Sequence, residues 1–133
     1  MARIGVEWVN RFHQNEEASC RALELQYCDD VAESFLAAMR SFGHDDIFDW
    51  GNDNAWWSDF DHPDFGGDSL NWSDNVHFCY FAGHGGQFHF DEKLAFNIGF
   101  SNRHEPVGTA LCRSLSPQWR LGVKRLKWFV LDS

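Results

Sequence analysis

One histidine lies where an α/β fold usually places its chemistry. The run VHFCYFA, residues 76–82, is the most strand-like stretch of the chain, and GHGG follows it directly. His84 is therefore predicted at the carboxyl end of a strand, between glycines that allow a substrate to approach the backbone closely. An imidazole in this place could serve as a general base or acid. The same location also fits a loop histidine in a glycine-rich turn.

The final stretch of the sequence, KWFVLDS, predicts a second strand of the same kind. Its apolar run, residues 128–131, is unbroken, which is typical of a strand buried on both faces of a parallel sheet. Asp132 and Ser133 follow this run. Because the carboxyl ends of neighbouring parallel strands meet at one edge of a sheet, we expect His84 and Ser133 to lie close together.

The two strand ends together resemble the clan of caspase-like cysteine peptidases, which includes caspases, legumain and the gingipains. In that clan an apolar strand ends in His-Gly, and about 40 to 50 residues later a second one ends in an acid or Gln, a small residue and the nucleophilic Cys. VHFCYFAGHGG supplies the first half, and KRLKWFVLDS supplies the second half up to Ser133. The resemblance implies a cysteine directly after Ser133.

The resemblance also implies a role for each matching residue. His84 would activate the thiol and protonate the leaving amine, and the N–H of Gly85 would stabilise the oxyanion. Asp132 would line the pocket for the side chain that precedes the cut, where a carboxylate favours a basic or amide-bearing group. A turn residue at a strand end is the other interpretation of Asp132. The stretch NRFHQ is similar to a cluster that legumain carries after its first strand, which makes substrate-binding candidates of Asn10, Arg11 and His13.

The fold implied by the resemblance is a three-layer α/β fold with a mainly parallel sheet of about six strands. This chain would be its N-terminal, larger part. We therefore expect residues 1–133 to form a single domain that is incomplete without a C-terminal companion chain carrying the cysteine. Self-cleavage of a Ser-Cys bond by an N-to-S acyl shift would make Ser133 a cleavage site. Cleavage by another protease and simple truncation are the alternatives.

The remaining elements must position these strand ends. Residues 4–9 predict a first strand, and residues 46–50 predict a weaker one. Large apolar residues recur at helical spacing between them, which predicts an amphipathic helix that packs this stripe on the sheet and ends at Gly43. The stripe consists of Val31, Phe35, Met39 and Phe42.

The second half of the chain has a less regular pattern. Residues 51–75 predict a long ordered loop with one helical turn at 55–60, and residues 88–98 predict a hairpin at the edge of the sheet. Residues 101–124 are poorly patterned. Strand, helix, strand, loop and strand in this order indicate an α/β layer with parallel neighbours.

The charge, the hydropathy and the cysteines of the chain indicate which partners and which cellular compartment to expect. A net charge of −9 without a Lys/Arg stripe argues against nucleic acid and anionic membranes, and favours cationic or neutral partners. The resemblance to caspase-like peptidases implies a peptide or small amide substrate, and the acidic chain suits one of basic character. No stretch approaches the roughly 18 apolar residues of a membrane span. The first ten residues predict a strand and lack the basic start and longer apolar core of a signal peptide, so we expect a cytoplasmic location. Four widely spaced cysteines without a CxxC pair indicate reduced thiols, with Cys79 as a small buried hydrophobe. No cofactor is expected.

Two other classes of function remain open. A zinc-binding module could use His77, Cys79, His84 and His89, with Asp91 nearby, although no standard spacing relates them. A non-catalytic or metabolite-modifying relative of the fold could use an aromatic pocket beside the histidine. The candidates for its walls, which fit a Trp-rich core beneath the loop equally well, are Trp50, Trp56, Trp57 and Trp72.

Residues 51–75 are also rich in aspartate. These carboxylates could hold calcium, but the twelve-residue pattern of a calcium loop is absent, so we expect solvated loop acids. The residues concerned are Asp53, Asp59, Asp61, Asp64, Asp68 and Asp74.

Overall fold

A parallel four-stranded sheet forms the centre of the fold. The computed structural model describes residues 1–12, 23–101 and 113–133. In chain order the elements are β1 (Arg3–Trp8), α1 (Cys28–Ser41), β2 (Asp45–Gly51), β3 (Phe78–Ala82), β4 (Gly85–Phe90), β5 (Lys93–Gly99), β6 (Arg113–Leu115) and β7 (Trp128–Asp132). The first sheet has the order β2-β1-β3-β7, and every neighbouring pair is parallel. The predicted α/β class with a parallel sheet is confirmed.

Strand β1 lies between β2 and β3 and is buried on both faces. Ile4 and Val6 face α1, whereas Gly5 and Glu7 face the opposite side because side chains alternate along a strand. The pairing with β2 shifts by one residue between Ile4 and Gly5, so that Gly5 lies opposite Phe48. A Cβ on Gly5 would lie 2.2 Å from Cζ of Phe48, and the position therefore requires glycine.

Helix α1 packs on the sheet with a different stripe from the predicted one. Its buried residues are Ala32 and Leu36, and Phe35 packs beside them. Val31 and Phe42, which the spacing assigned to the sheet, are exposed. The prediction was wrong at these two positions because it gave weight to large side chains, whereas a helix approaches a sheet most closely at a small residue.

The predicted hairpin exists, but it belongs to a second sheet. Strands β4 and β5 are antiparallel, and they are joined at Asp91 and Glu92, both of which have positive φ as this kind of tight turn requires. The short strand β6 pairs with β5 and completes a three-stranded sheet of order β4-β5-β6. Placement of the hairpin at the edge of the main sheet was therefore wrong. Strand β6 arises from the stretch that sequence patterns left unassigned.

Strand β7 is an outer strand of the parallel sheet as far as the structure describes the chain. It pairs with β3 on one side, in register from Phe78–Trp128 to Ala82–Asp132. Trp128 is 68% exposed, and the three residues that follow are half-buried. Burial of this strand on both faces was therefore a wrong expectation, because α1 packs across β1, β2 and β3 instead.

The loop between β2 and β3 is ordered by short helical turns and by buried acids. Its 3-10 turns lie at Asn52–Asn54, Trp57–Asp59, Pro63–Phe65 and Ser73–Asn75. The expectation of solvated acids is wrong for Asp59, Asp61 and Asp74, which are at most 5% exposed. Asp61 accepts a hydrogen bond from the hydroxyl of Ser114, and this contact ties the loop to β6.

Asp74 fastens the loop to the segment that leads into β7. Its two carboxylate oxygens accept hydrogen bonds from the backbone N–H groups of the four consecutive residues 123–126, at 2.9 to 3.1 Å. A carboxylate with this many N–H donors is satisfied although it is fully buried. The contact fixes where the chain enters its last strand.

An aromatic core fills the space between the loop and the face of the sheet opposite α1. The ring of Phe60 lies 5.5 to 5.8 Å from the rings of Phe81, Phe100 and Phe129. Trp57 packs at its margin. Cys79 is fully buried against this core as a free thiol, as expected, and Cys28 is also free. Cys20 and Cys112 lie outside the described residues.

The described helix is short compared with a membrane-spanning helix. Helix α1 has 14 residues, and within the described ranges of the chain we find no helix long and apolar enough to cross a bilayer.

Candidate functional site

The carboxyl ends of β3 and β7 bring His84, Gly85 and Ser133 into one corner of the molecule. The N–H of Gly83 donates to the carbonyl of Asp132 at 3.0 Å, which extends the parallel ladder past both strands. A Cβ placed on Gly85 would lie 3.1 Å from Cβ of Ser133. The prediction that these two strands are parallel neighbours is confirmed, and it places Ser133 directly beside the residue that follows His84.

His84 is half-buried, and its ring is oriented by the backbone. Nε2 lies 2.7 Å from the carbonyl oxygen of Leu23, and the ring of Phe12 packs against the imidazole at 5.0 Å. A carbonyl oxygen only accepts, so Nε2 carries the hydrogen of this bond. In the neutral imidazole Nδ1 is then the nitrogen with a lone pair, and it is the atom that could accept a proton.

The N–H of Gly85 takes no part in the pairing of β4 with β5. The N–H of Gly99 donates to the carbonyl of His84 at 2.9 Å, which makes Gly85 and Ile98 a non-hydrogen-bonded pair of the antiparallel ladder. The amide of Gly85 therefore points away from β5. A groove of about 300 Å³ lies at this corner, and its walls include Gly85, Phe96, Leu131 and Ser133.

Asp132 faces the other side of the sheet from this groove. Its carboxylate accepts a hydrogen bond of 2.6 Å from the hydroxyl of Tyr80, on the face that α1 covers. Burial, with Asp132 as the next cause, raises the pKa of Tyr80 to about 12. Burial and the charges of Asp132 and Asp29 also raise the pKa of Cys28. The substrate contact of Asp132 stays a prediction, and the described contact of its side chain is structural.

Asn10 holds the start of α1. Its side-chain oxygen accepts from the N–H of Cys28 at 3.0 Å, and its side-chain nitrogen donates to Asp29 at 2.8 Å. Asn52 in turn accepts from the backbone N–H groups of Asn10 and Arg11. Arg11 is exposed, and His13 lies outside the described residues. Both sides of the Asn10 amide are therefore engaged within the fold.

A second candidate site lies at the carboxyl end of β2. Three of the four predicted tryptophans, Trp50, Trp56 and Trp72, line a cavity of about 210 Å³ together with Asn54 and Asp59. Trp50 and Trp72 meet edge to face, with their ring centroids 5.7 Å apart.

Behind this cavity lies a pair of buried carboxyl groups. Glu7 is fully buried close to Asp59, and neither oxygen of its carboxyl group has a hydrogen-bond partner among the described residues. Burial raises the pKa of Glu7 well above its ordinary value, and the charge of Asp59 raises it further. Burial also raises the pKa of Asp59 to about 6, although the proximity of Glu7 and the N–H of Trp56 act in the opposite direction. Burial therefore disfavours the ionised form of both carboxyl groups.

The four zinc candidates are not gathered into a site. Nδ1 of His77 accepts from the backbone N–H of Arg3, Cys79 is buried in the core, and His89 is exposed on β4. Across residues 1–12, 23–101 and 113–133 no group of three His, Cys, Asp or Glu side chains is arranged to hold a metal ion.

Comparison with known protein families gives a match that covers nearly the whole chain. A family model described as "Domain of unknown function (DUF6345)" matches residues 6–133. The chain belongs to this family. No curated protein and no solved structure gives a match. The DUF6345 match includes every residue of both candidate sites, from Glu7 to Ser133.

Sequence reasoning missed the most unusual residue of this DUF6345 domain, Glu7. The signal was present in IGVEWV, where a single carboxylate interrupts an apolar strand. Strictly alternating strands place such residues in solvent, but a central parallel strand has no solvent face. A charge within a strand that is predicted to be central therefore indicates a buried ionisable group, and such groups are often functional.

Proposed function

We propose that this domain is the N-terminal part of a caspase-like cysteine peptidase or amide-bond hydrolase. His84 is its base and acid, and its nucleophile is a cysteine joined directly after Ser133. The observation that carries the proposal is the parallel pairing of β3 with β7, which brings Ser133 beside Gly85. A residue attached to Ser133 would start from the same corner as the imidazole.

The geometry of the corner supports the chemistry of such a site. A free thiol has a pKa near 8.5 and is mostly protonated at neutral pH, so it needs an adjacent base. With Nε2 of His84 donating to Leu23, Nδ1 is available to take the thiol proton. The thiolate then attacks the substrate carbonyl carbon, and the amine leaves with the proton from the imidazolium. Water hydrolyses the resulting thioester.

The backbone supports the charged intermediate of the same reaction. As the thiolate attacks, the carbonyl oxygen becomes an oxyanion that requires N–H donors. The amide of Gly85 is outside the β4–β5 ladder and lies next to Ser133. In the proposal it donates to this oxyanion together with the amide of the cysteine.

Other parts of the proposal concern the assembly and the substrate. The sheet is the parallel part of a caspase-like three-layer fold, and the outer side of β7 is where a strand of the companion part would pair. The substrate is a peptide or small amide with a basic group, which suits a chain of net charge −9. Arg11 remains a candidate substrate contact, a Ser133–Cys bond is a candidate for self-cleavage, and the proposed location is cytoplasmic.

The test uses the complete natural polypeptide that contains these residues. A cysteine after Ser133 should react with a peptidyl acyloxymethyl ketone that carries a basic side chain. We expect His84→Ala to reduce labelling by about 100-fold or more, because a positioned acid–base group contributes at least this much. His89→Ala, an exposed histidine on β4, is the matched control and should label normally.

Two results would contradict the proposal. One is a residue other than cysteine after Ser133. The other is labelling of a folded His84→Ala protein within about tenfold of the parent. Circular dichroism of both histidine variants separates loss of function from loss of fold.

A binding protein without catalysis is the second candidate function. The observation that favours it is the cavity walled by Trp50, Trp56 and Trp72, which exists independently of the histidine corner. A zinc module has less support, since its ligands are separated as described above. Ligand binding that is unchanged in His84→Ala, in a protein whose cysteine probe labelling is absent, would favour the binding protein.

A further inference from the structure

The tryptophan cavity presents aromatic surface on several sides and opens to solvent. Trp50 and Trp72 stand nearly perpendicular to each other, at an angle of 78°, so they form two walls of a corner. Trp56 also lines the cavity and is 44% exposed, which makes it the wall nearest the solvent. Three indole rings around one space provide negative π surface from more than one direction.

Hydrogen bonds hold two of these rings in place before any ligand arrives. The indole N–H of Trp56 donates to the carbonyl of Asp53 at 2.8 Å. The indole N–H of Trp72 donates to the carboxylate of Asp68 at 3.1 Å. A ligand therefore does not have to order these side chains, and the entropy cost of binding is correspondingly reduced.

The floor of the cavity carries a negative charge that lies largely out of water. Asp59 is 5% exposed and lines the cavity, and its neighbour Glu7 is fully buried. Removing a carboxylate from water is costly without a positive partner, and among the described residues no ion pair involving Asp59 is present. The backbone N–H of Trp56 donates a hydrogen bond of 3.2 Å to Asp59, but it brings no formal positive charge. The counter-charge is therefore missing from the described fold.

We propose that this cavity binds the alkylated ammonium group of an organic cation, with Trp50, Trp56 and Trp72 surrounding its methyl groups and Asp59 supplying the counter-charge. A quaternary ammonium has no N–H to donate, so its binding does not require hydrogen-bond acceptors in the walls of the cavity. Its positive charge is attracted to the faces of the indoles. A primary ammonium or guanidinium has at least three N–H donors, and of the residues that line this cavity only Asn54 and Asp59 have side-chain oxygens to accept from them. The inference does not depend on a cysteine nucleophile or on His84.

Two sources could present this chemical group, a free metabolite and a methylated lysine side chain. Binding is measured by titration calorimetry with two probes, choline and the methylamide of Nα-acetyl-trimethyllysine. The neutral control is 3,3-dimethylbutan-1-ol, which has the shape of choline without its charge. We expect choline to bind and the alcohol to bind at least about tenfold more weakly, since charge supplies much of the attraction. Tighter binding of the lysine derivative would assign the site to a modified protein, and tighter binding of choline to a metabolite.

Variants separate the contributions of charge and aromatic surface. Asp59→Asn and Trp56→Leu should each weaken binding of the preferred probe by about tenfold or more. Glu7→Gln changes a residue that does not line the cavity and leaves the carboxylate of Asp59 in place, so binding should stay within about threefold. Trp128→Leu removes an exposed tryptophan on β7 and is the matched control. The indole N–H resonance of Trp56 in NMR spectra reports occupancy directly.

Three results would overturn the inference. Equal binding of choline and its neutral analogue would mean that the cavity recognises apolar shape alone. Absence of binding by both cationic probes, in protein whose NMR spectrum shows a folded state, would remove the site. Unchanged binding in folded Asp59→Asn would show that this carboxylate is not the counter-charge.

Discussion

Replacing Asp59 by Asn should stabilise the folded domain above about pH 6. The wild-type carboxyl group is 5% exposed, and burial raises its pKa from 3.8 to about 6. The folded state therefore binds this proton more tightly than the unfolded chain does. Stability that is present below about pH 4 is lost as the pH rises through about 6, where the buried group finally ionises.

The size of the effect follows from the two pKa values. The difference between 3.8 and about 6 corresponds to about 3 kcal/mol, because each pKa unit is worth 1.36 kcal/mol. Asn does not ionise, and its side-chain oxygen can still accept from the N–H of Trp56, which lies 3.2 Å from Asp59 Oδ2. The charge of Asp59 is also one cause of the raised pKa of Glu7. Removing this charge relieves Glu7 as well, and this effect on stability has the same sign. The domain as a whole is expected to be stable by only about 5 to 15 kcal/mol.

The assay is urea unfolding followed by tryptophan fluorescence, for the parent and Asp59→Asn, from about pH 4 to pH 8. The quantity of interest is the difference between the two free energies of unfolding, because other titrating groups largely cancel. It should rise between about pH 4 and pH 6 and level off at up to about 3 kcal/mol in favour of the variant. Asp91→Asn, in the exposed turn of the hairpin, is the control and should change stability by less than about 0.5 kcal/mol.

A pH-independent difference, or a variant that is less stable than the parent at pH 8, would refute this reasoning. Either result would mean that the charge of Asp59 is already compensated in the fold. The titratable groups facing it are Glu7 and Asp68, and the thiol of Cys79 also lies close enough for the charge of Asp59 to affect it. None of the three is a cation. A stabilising Asp59→Asn that also loses cation binding would be a direct case of stability exchanged for function.

Three further predictions concern the framework around the sites. Asp74→Ala leaves four backbone N–H donors without their carboxylate, so the free energy of unfolding should fall by about 3 to 5 kcal/mol. Calorimetry should show a Tm lower by about 10 °C. A loss below about 1 kcal/mol would contradict this role of Asp74. Gly5→Ala places a Cβ 2.2 Å from the ring of Phe48, and urea unfolding should show a loss of about 2 kcal/mol or more that Phe48→Leu partly restores in the double variant. Burial and the charge of Asp132 raise the pKa of Cys28, so iodoacetamide should alkylate this thiol more slowly than a free cysteine at pH 8, and Asp132→Asn should accelerate it. Peptide mapping by mass spectrometry measures these rates, and equal rates in parent and variant would rule out the influence of Asp132.

Local patterns in the sequence are sufficient to predict the parallel sheet. The predicted strands at 4–9, 46–50, 76–82 and 127–131 each overlap an observed one, Arg3–Trp8, Asp45–Gly51, Phe78–Ala82 and Trp128–Asp132. Such strands need continuous apolar runs, and these runs are visible without knowledge of their neighbours. The adjacency of Ser133 and Gly85 follows from the same information, because parallel neighbours end at the same edge.

The helix shows where local pattern stops being sufficient. Spacing of large residues located α1 correctly, yet it selected Val31 and Phe42 where the structure buries Ala32. Periodicity locates an amphipathic face only to within about one residue, since neighbouring positions are 100° apart around the helix. Which side chain touches the sheet depends on the depth of the groove that the sheet offers.

By itself the sequence determined the parallel strands, the position of α1 and the location of His84 at a strand end, because each depends on residues close together in the chain. Only the tertiary structure decided that Glu7 lies beside Asp59, that Asp74 binds residues 123–126, and that three tryptophans share one cavity. These contacts join positions that are up to 52 residues apart. Loop closure over such distances has an entropy cost but no sequence signature of its own. The buried acids are therefore indistinguishable from solvated ones until the chain is folded around them.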